Sequence, residues 1–393
     1  MSYLTVQEIA AQWKLSKRTV QQLCADGRIP GAQKFGRSWA IPADAEKPQD
    51  IRIDSEKTSL SLKDSSNLMP LMNTAFAPGC CRKTAEAMDA GPRRDIALAE
   101  YYYFTGNPEA AVEQVAPYLN SSDIGALLSA CLLSAYANLS TGHIEQAEIA
   151  LNNLNAFLAD SEKPIEAEAA SAFVAATGAV LLHLPLPDGL PDIQSFLPLL
   201  PPGLRAFALY VNAHFLYLQG EYAISAGVVD GALAMGAASY PIPAIYLHLV
   251  AVMDYMGLKQ TEQAQAHLLA AWALAQPDDL IEGFGEHHGL LGGMLEAVIK
   301  PAWPEDFRRI IDITYRFSAG WRRIHNPVTG HDVADDLTTT EFAVCMLAAR
   351  DWNNAAIADH LNISIATVKR HLSSAMKKLN IDKRRDLQRF MLK

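Results

Sequence analysis

The sequence predicts a mainly α-helical protein of several domains: two small helix-and-turn units flanking a longer run of paired helices. Three observations predict it. The 393 residues, half of them hydrophobic, exceed one ordinary core. Apolar residues recur at helical rather than alternating spacing over most of the chain. Charge is also segregated: residues 1–52 carry a net +3, residues 331–393 a net +2, and the stretch between a net −15, within a total of −10. Residues 361–393 alone hold nine basic and two acidic side chains. An acidic total therefore does not exclude a polyanionic partner, because binding one needs only a local basic face.

The first block spans residues 1–48. Thr5 followed by Glu8 predicts a capping box that opens a helix with Val6, Ile9 and Ala10 facing inward. Leu15-Ser16 makes a turn, and Ser16 caps a second helix with Val20 and Leu23 buried and Lys17, Arg18, Gln21 and Gln22 outside. After Gly27, the segment RIPGAQKFGRSWAIP places Phe35, Trp39 and Ile41 around Gly36, which suggests a small β-hairpin, or wing.

Residues 49–90 are rich in Ser, Asp and Lys with little periodicity and are expected to be a linker, as a tether or loosely packed. Residues 91–326 contain a weak repeat: TGNPEAAVEQV, TGHIEQAEIAL, QGEYAISAGVV and MGLKQTEQAQA, with glycines at 106, 142, 220 and 257. Each glycine follows an apolar or aromatic helix and precedes an Ala-rich one, as in stacked helix pairs. A degenerate unit is expected between Leu182 and Leu200. The repeat loosely resembles tetratricopeptide repeats; an irregular bundle is the alternative.

The last block, 331–393, follows a polar stretch with Pro327 and Gly330. Thr338 and Glu341 form a second capping box. Asn354 is expected to cap a short helix burying Ile357, Ala358 and Leu361. Asn362 to Ser364 turn the chain, and Ser364 caps a third helix. Its Val368, Leu372, Met376 and Leu379 recur at helical spacing. Its other face shows Thr367, Lys369, Arg370, His371, Ser374, Lys377 and Lys378. A short helix, a tight turn and a helix with a basic face is helix-turn-helix geometry.

From Leu337 the pattern LT-x-x-E, IA-x-x-L-x-I-S-x-x-TVK-x-HL and KL resembles the LuxR-type domain over about the last 57 residues. The resemblance implies a four-helix DNA-binding unit in which Thr367, Lys369, Arg370 and His371 meet DNA backbone and bases and Lys377 and Lys378 meet phosphates. Ser364 and Ser374 complete the candidate set. Asp351 stands where that family usually has Gly, and Ala355-Ala356 where it has Lys-Glu. The first block, 1–48, resembles over about 45 residues the winged helix-turn-helix of excisionase and MerR-like proteins. That implies major-groove contacts from Ser16, Lys17, Arg18 and Gln21 and wing contacts from Lys34 and Arg37. The segment LAAWALAQPDDLIEGFGEHHGLLGGMLEAVI looks like the end of the helical sensor in large LuxR-type regulators.

Other features carry little chemistry. His287-His288 lacks helical metal-ligand spacing, and Cys80-Cys81 reads as a pair on the linker. Tyr101 to Phe104 reads as repeat core. The five cysteines form no C-x-x-C, there is no phosphate-binding glycine motif, and no catalytic constellation is recognisable. The N-terminus has no secretory pattern, and no apolar run was expected to reach the length of a membrane span. Together these features predict a cytoplasmic, non-enzymatic transcription regulator without cofactor or metal. Its expected partners are double-stranded DNA, a second copy of the chain, RNA polymerase and a small-molecule or protein effector. The rival reading is a helical-repeat scaffold whose terminal units dock proteins. The acidic middle is expected to lie away from DNA or to cover the basic helix in an off state.

Overall fold

The computed structural model describes residues 3–13, 16–25, 29, 32–35, 38–43, 45, 67–158, 165–182, 186–187, 189–325 and 337–388. The chain divides into two compact units, residues 1–60 and 61–393.

In the first unit, β1 (Tyr3–Thr5) leads into α1 (Val6–Trp13) and α2 (Lys17–Ala25), followed by β2 (Gln33–Phe35) and β3 (Ser38–Pro42). The Thr5–Glu8 capping box is present: the Thr5 N–H donates to Glu8 Oε2 at 2.8 Å and the Glu8 N–H to Thr5 Oγ1 at 3.3 Å. The hairpin β2–β3 is the predicted wing. β1 adds to its other edge, pairing antiparallel with β3 so that Leu4 faces Ile41, a strand the sequence did not announce. Ile9, Val20 and Ile41 form the fully buried centre, with Trp13, Cys24 and Ile29 around them. Leu23, Gly36 and Arg37 lie outside the residues whose placement or side chains are described.

The second unit is helical. α3 (Cys81–Glu86) precedes four clear pairs: α4 (Pro92–Phe104) with α5 (Pro108–Val115), α6 (Ile124–Thr141) with α7 (Ile144–Leu158), then, after α8 (Ile165–Leu181) and the short α9 (Ile193–Phe196), α10 (Pro202–Leu218) with α11 (Tyr222–Ala234) and α12 (Pro241–Gly257) with α13 (Thr261–Ala275). Proline opens α4, α5, α10 and α12, where its missing N–H costs nothing. Of the degenerate unit expected between Leu182 and Leu200, the described residues hold α9 and a 3-10 turn (Leu197–Leu199), while α8 ends just before it. Gly106, Gly142 and Gly220 adopt φ of 76°, 80° and 80°, the left-handed turn that ends a first helix. Gly257 serves differently: a Cβ there would meet the Tyr222 ring at 2.8 Å, so it allows α12 to press on α11.

Residues 67–90 correct the expected linker. Leu68, Met69, Leu71 and Met72 are almost wholly buried. The buried Glu100 carboxyl accepts from the Leu71 and Met72 N–H groups at 2.8 and 2.9 Å. Cβ atoms at Gly125 and Gly203 would lie 2.8 Å from Leu68 N and 2.6 Å from Met72 O, so this strap lies directly on α6 and α10. Cys80 and Cys81 likewise sit on a packed helix start, Cys80 exposed and Cys81 buried. Helix α6 is long and apolar enough by composition to cross a membrane, contrary to expectation. Its 18-residue window is 83% buried among its neighbours, as befits a core helix.

Beyond α13, α14 (Glu282–His287) and a π turn (Leu295–Ile299) lead to α15 (Pro304–His325). The last elements are α16 (Thr339–Ala349), α17 (Asn354–His360) and α18 (Ile365–Lys378). A fourth segment begins as a 3-10 turn at Arg384–Leu387, close to the end of the described residues.

Candidate nucleic-acid interface

Both terminal units build their second helix in the same way. Ser16 Oγ accepts from the Thr19 N–H at 3.1 Å and pairs with Thr19 Oγ1 at 2.8 Å; Ser364 Oγ accepts from the Thr367 N–H at 3.0 Å and pairs with Thr367 Oγ1 at 2.8 Å. The next residue is a fully buried valine in each, Val20 and Val368. The cap fixes where the helix starts, and the valine fixes its rotation about its axis. The residues that follow the cap and avoid the core must then face outward.

In the C-terminal unit the Thr338–Glu341 capping box forms as predicted. The cap of α17 is Asn353, whose side chain accepts from the Ala356 N–H at 2.9 Å, not Asn354. Asn354 instead accepts from Arg384 at 2.5 Å, which ties the last segment to the start of α17. Asp351 has φ of 59°, the left-handed conformation that glycine adopts most easily. Asn362, with φ of 51°, makes the turn between α17 and α18.

Among the predicted residues of α18, Lys369, Arg370 and Lys377 are exposed, and Thr367 and His371 are half-buried. Lys383 and Arg385 extend the exposed basic surface. Ile365 stands 47% exposed at the helix start, an outward apolar side chain that residue-type reasoning passed over. Two candidates turn inward. Lys378 Nζ donates to Glu341 Oε2 at 2.7 Å, and Ser374 also bonds that carboxylate. Burial alone would raise the Glu341 carboxyl. The donors Lys378, Ser374 and the Thr338 N–H overcome this and hold it down at about 2. Lys378 and Ser374 thus clamp α18 to α16, and the hydroxyl of Ser364 is spent on the cap.

In the N-terminal unit Ser16, Lys17, Arg18 and Gln21 are exposed along α2. Lys17 Nζ donates to Gln7 Oε1 at 2.8 Å, linking α2 to α1. Lys34 is exposed on the wing, its Nζ 5.8 Å from the centre of the Trp39 ring. Arg37 lies outside the described residues.

The C-terminal unit docks on the helical middle by its opposite side. Arg350, 7% exposed, donates to the Tyr217 hydroxyl of α10 and to the Leu290 carbonyl. His360 Nε2 lies 3.2 Å from the Gly292 carbonyl. A Cβ at Gly289 or Gly293 would meet Phe342 at 2.6 Å or Leu361 at 2.7 Å, so two glycines let the middle block reach α16 and α17. Burial pulls the His360 imidazole down, despite the Gly292 carbonyl. This docking leaves Lys369, Arg370 and Lys377 of α18 open to solvent, so the middle block does not cover them here.

His287 and His288 serve packing and go to separate partners: His287 to Tyr210 at 2.8 Å and the Gly283 carbonyl at 2.7 Å, His288 to Glu296 at 2.8 Å.

Residues 335–391 match the family model of bacterial regulatory proteins, LuxR family, and residues 3–45 match that of a helix-turn-helix domain. No curated protein matches the chain. The chain therefore carries a LuxR-family helix-turn-helix domain over residues 335–391 and a second helix-turn-helix domain over residues 3–45.

Proposed function

We propose that this protein is a cytoplasmic transcription regulator, not an enzyme, that binds double-stranded DNA as a homodimer through α18. Its helical middle, a TPR-like stack, serves as effector-sensing or dimerisation domain. The observation that carries this reading is the solvent-open basic face of α18 on a unit whose other side is docked. Helix-turn-helix units read the major groove with the first half of the second helix. Thr367, Lys369, Arg370 and His371 occupy that half, and Ile365 suits an apolar contact with a thymine methyl. Lys377 lies further along, where a phosphate contact orients the helix without reading sequence. The inward bonds of Lys378 and Ser374 remove them from this set, whereas Ser364, like Ser16, stays exposed at its cap. In the N-terminal unit Ser16, Lys17, Arg18, Gln21 and Lys34 form a second surface, and its basic surplus, smaller than that of residues 361–393, suits a supporting role.

Photo-cross-linking tests the assignment. A benzophenone side chain at residue 365 of the intact chain is expected to capture DNA bases, while one at exposed Ile149 on α7 captures none. Equal capture at both positions contradicts it.

A further inference from the structure

The two helix-turn-helix units share a scaffold but not a reading face. Aligned on their caps, Ser16 corresponds to Ser364, Thr19 to Thr367 and the buried Val20 to the buried Val368. Each helix therefore turns the same positions outward. What stands at those positions differs. Lys17 and Arg18 occupy the places of Ile365 and Ala366, and Gln21 occupies the place of Lys369, all six exposed. Arg18 suits the two acceptors of a guanine and Gln21 the edge of an adenine. Ile365 suits a thymine methyl, and Arg370 a guanine further along the helix. The two faces match different base sequences.

Charge is divided between the ends of the chain as well. Phosphate repels the acidic stretch between them, which leaves the two basic ends to meet it. Residues 1–52, with a net +3, are expected to hold DNA weakly by themselves, with a Kd of about 10–100 μM. Covalent connection offsets that weakness. The roughly 20 residues between Ala45 and Asn67 reach at most about 70 Å, about two turns of duplex. Once α18 holds a duplex, α2 meets the same duplex at an effective concentration of about 1 mM. The ratio of that concentration to the Kd of the first unit raises affinity about 10–100-fold.

We propose that the chain reads a composite DNA site: one duplex that carries two unlike motifs, one held by α18 and the other by α2 with the Lys34 wing. This rests on the reading of the chain as a DNA-binding regulator. The first unit adds a second sequence requirement to the one that α18 sets. In the homodimer each copy contributes one face of each kind.

The test uses the intact chain and needs no known operator. The chain selects from a pool of duplexes with about 40 random base pairs, roughly four turns. Two motifs are expected, enriched together on the same molecules. Arg18→Ala/Gln21→Ala should lose one motif and keep the other, and Lys369→Ala/Arg370→Ala should lose the other. On a selected duplex, scrambling the α2 motif should weaken wild-type binding about 10–100-fold, an arm that needs no altered protein. The same scrambling should have no effect on the Arg18→Ala/Gln21→Ala variant, because both changes remove one contact. A single motif, two motifs that never share a molecule, or a scrambled motif without effect would overturn the composite site and leave the regulator reading standing. A chain that selects no duplex at all would refute the regulator reading, and the composite site with it.

Discussion

Replacing Glu341 by Gln removes the anion that joins α16 to α18 while keeping the size of the side chain. In the wild type that carboxylate closes the capping box and accepts from Lys378 at 2.7 Å, and the Glu341 side chain is 7% exposed. Its pKa of about 2 lies below the usual 4.5. At about 1.4 kcal/mol per unit, the interaction with the ionised form is worth about 3 kcal/mol at neutral pH. Lys378 is one-third exposed and can return to water, and Gln can still accept from the Thr338 N–H, so the variant should lose less, about 2 kcal/mol. A depressed carboxyl pKa gives stability that is present above the unfolded-state value and lost as pH falls from 4.5 towards 2. The difference between wild type and variant should therefore shrink over that window and stay constant above it. Urea unfolding of the intact chain measures it, with hydrogen exchange over residues 338–379 assigning the transition to this unit. A difference below about 0.5 kcal/mol at neutral pH, within the range of an ordinary surface substitution, or one independent of pH, would refute the reasoning.

Three further outcomes follow from single contacts. Lys377→Ala should lower the log-log salt slope of DNA binding by about 0.9, whereas Lys378→Ala should leave the slope unchanged and lower stability instead, because only Lys377 is free for a phosphate; equal slopes for both variants would contradict the division. Asp351→Gly should stabilise the C-terminal unit by about 0.5–1 kcal/mol by relieving a left-handed aspartate, and a loss of stability in thermal unfolding would disprove that origin. Gly203→Ala should destabilise the helical middle by about 1–3 kcal/mol, since its Cβ would lie 2.6 Å from Asn73 Cα and Met72 O; an unchanged melting midpoint would mean that the strap is not seated on α10.

What the sequence made legible was local. Thr5 with Glu8, Ser16, Thr338 with Glu341, and Ser364 announce helix starts because a cap is made within three residues of itself. The glycines at 106, 142 and 220 announce helix ends for the same reason. Asn353 and Asn354 are both good caps, and only the packing of Arg384 on Asn354 decides between them. The strap at residues 67–73 was illegible. Its anchor, Glu100, lies 28 and 29 residues away from the N–H groups it accepts from, and a short irregular segment has no period to read. The burial of Arg350 was equally illegible. It depends on Tyr217, which is 133 residues distant. The Tyr103–Glu286 bond was illegible for the same reason: each is a plausible core residue alone, and only the packing of α14 on α4 brings them together. Lys378 shows the limit of judging side chains by face. Spacing placed it outside the helix, but Glu341 draws it in.

The central claim is that the solvent-open face of α18 holds DNA. The measurement that tests it most directly is the salt dependence of DNA binding by the intact chain, wild type against the Lys369→Ala/Arg370→Ala double variant, with folding checked by circular dichroism. Loss of the two cations should reduce the magnitude of the log-log slope, by about 0.9 for each that meets a phosphate, and weaken binding at every salt concentration. A folded double variant with the wild-type affinity and slope would contradict the account.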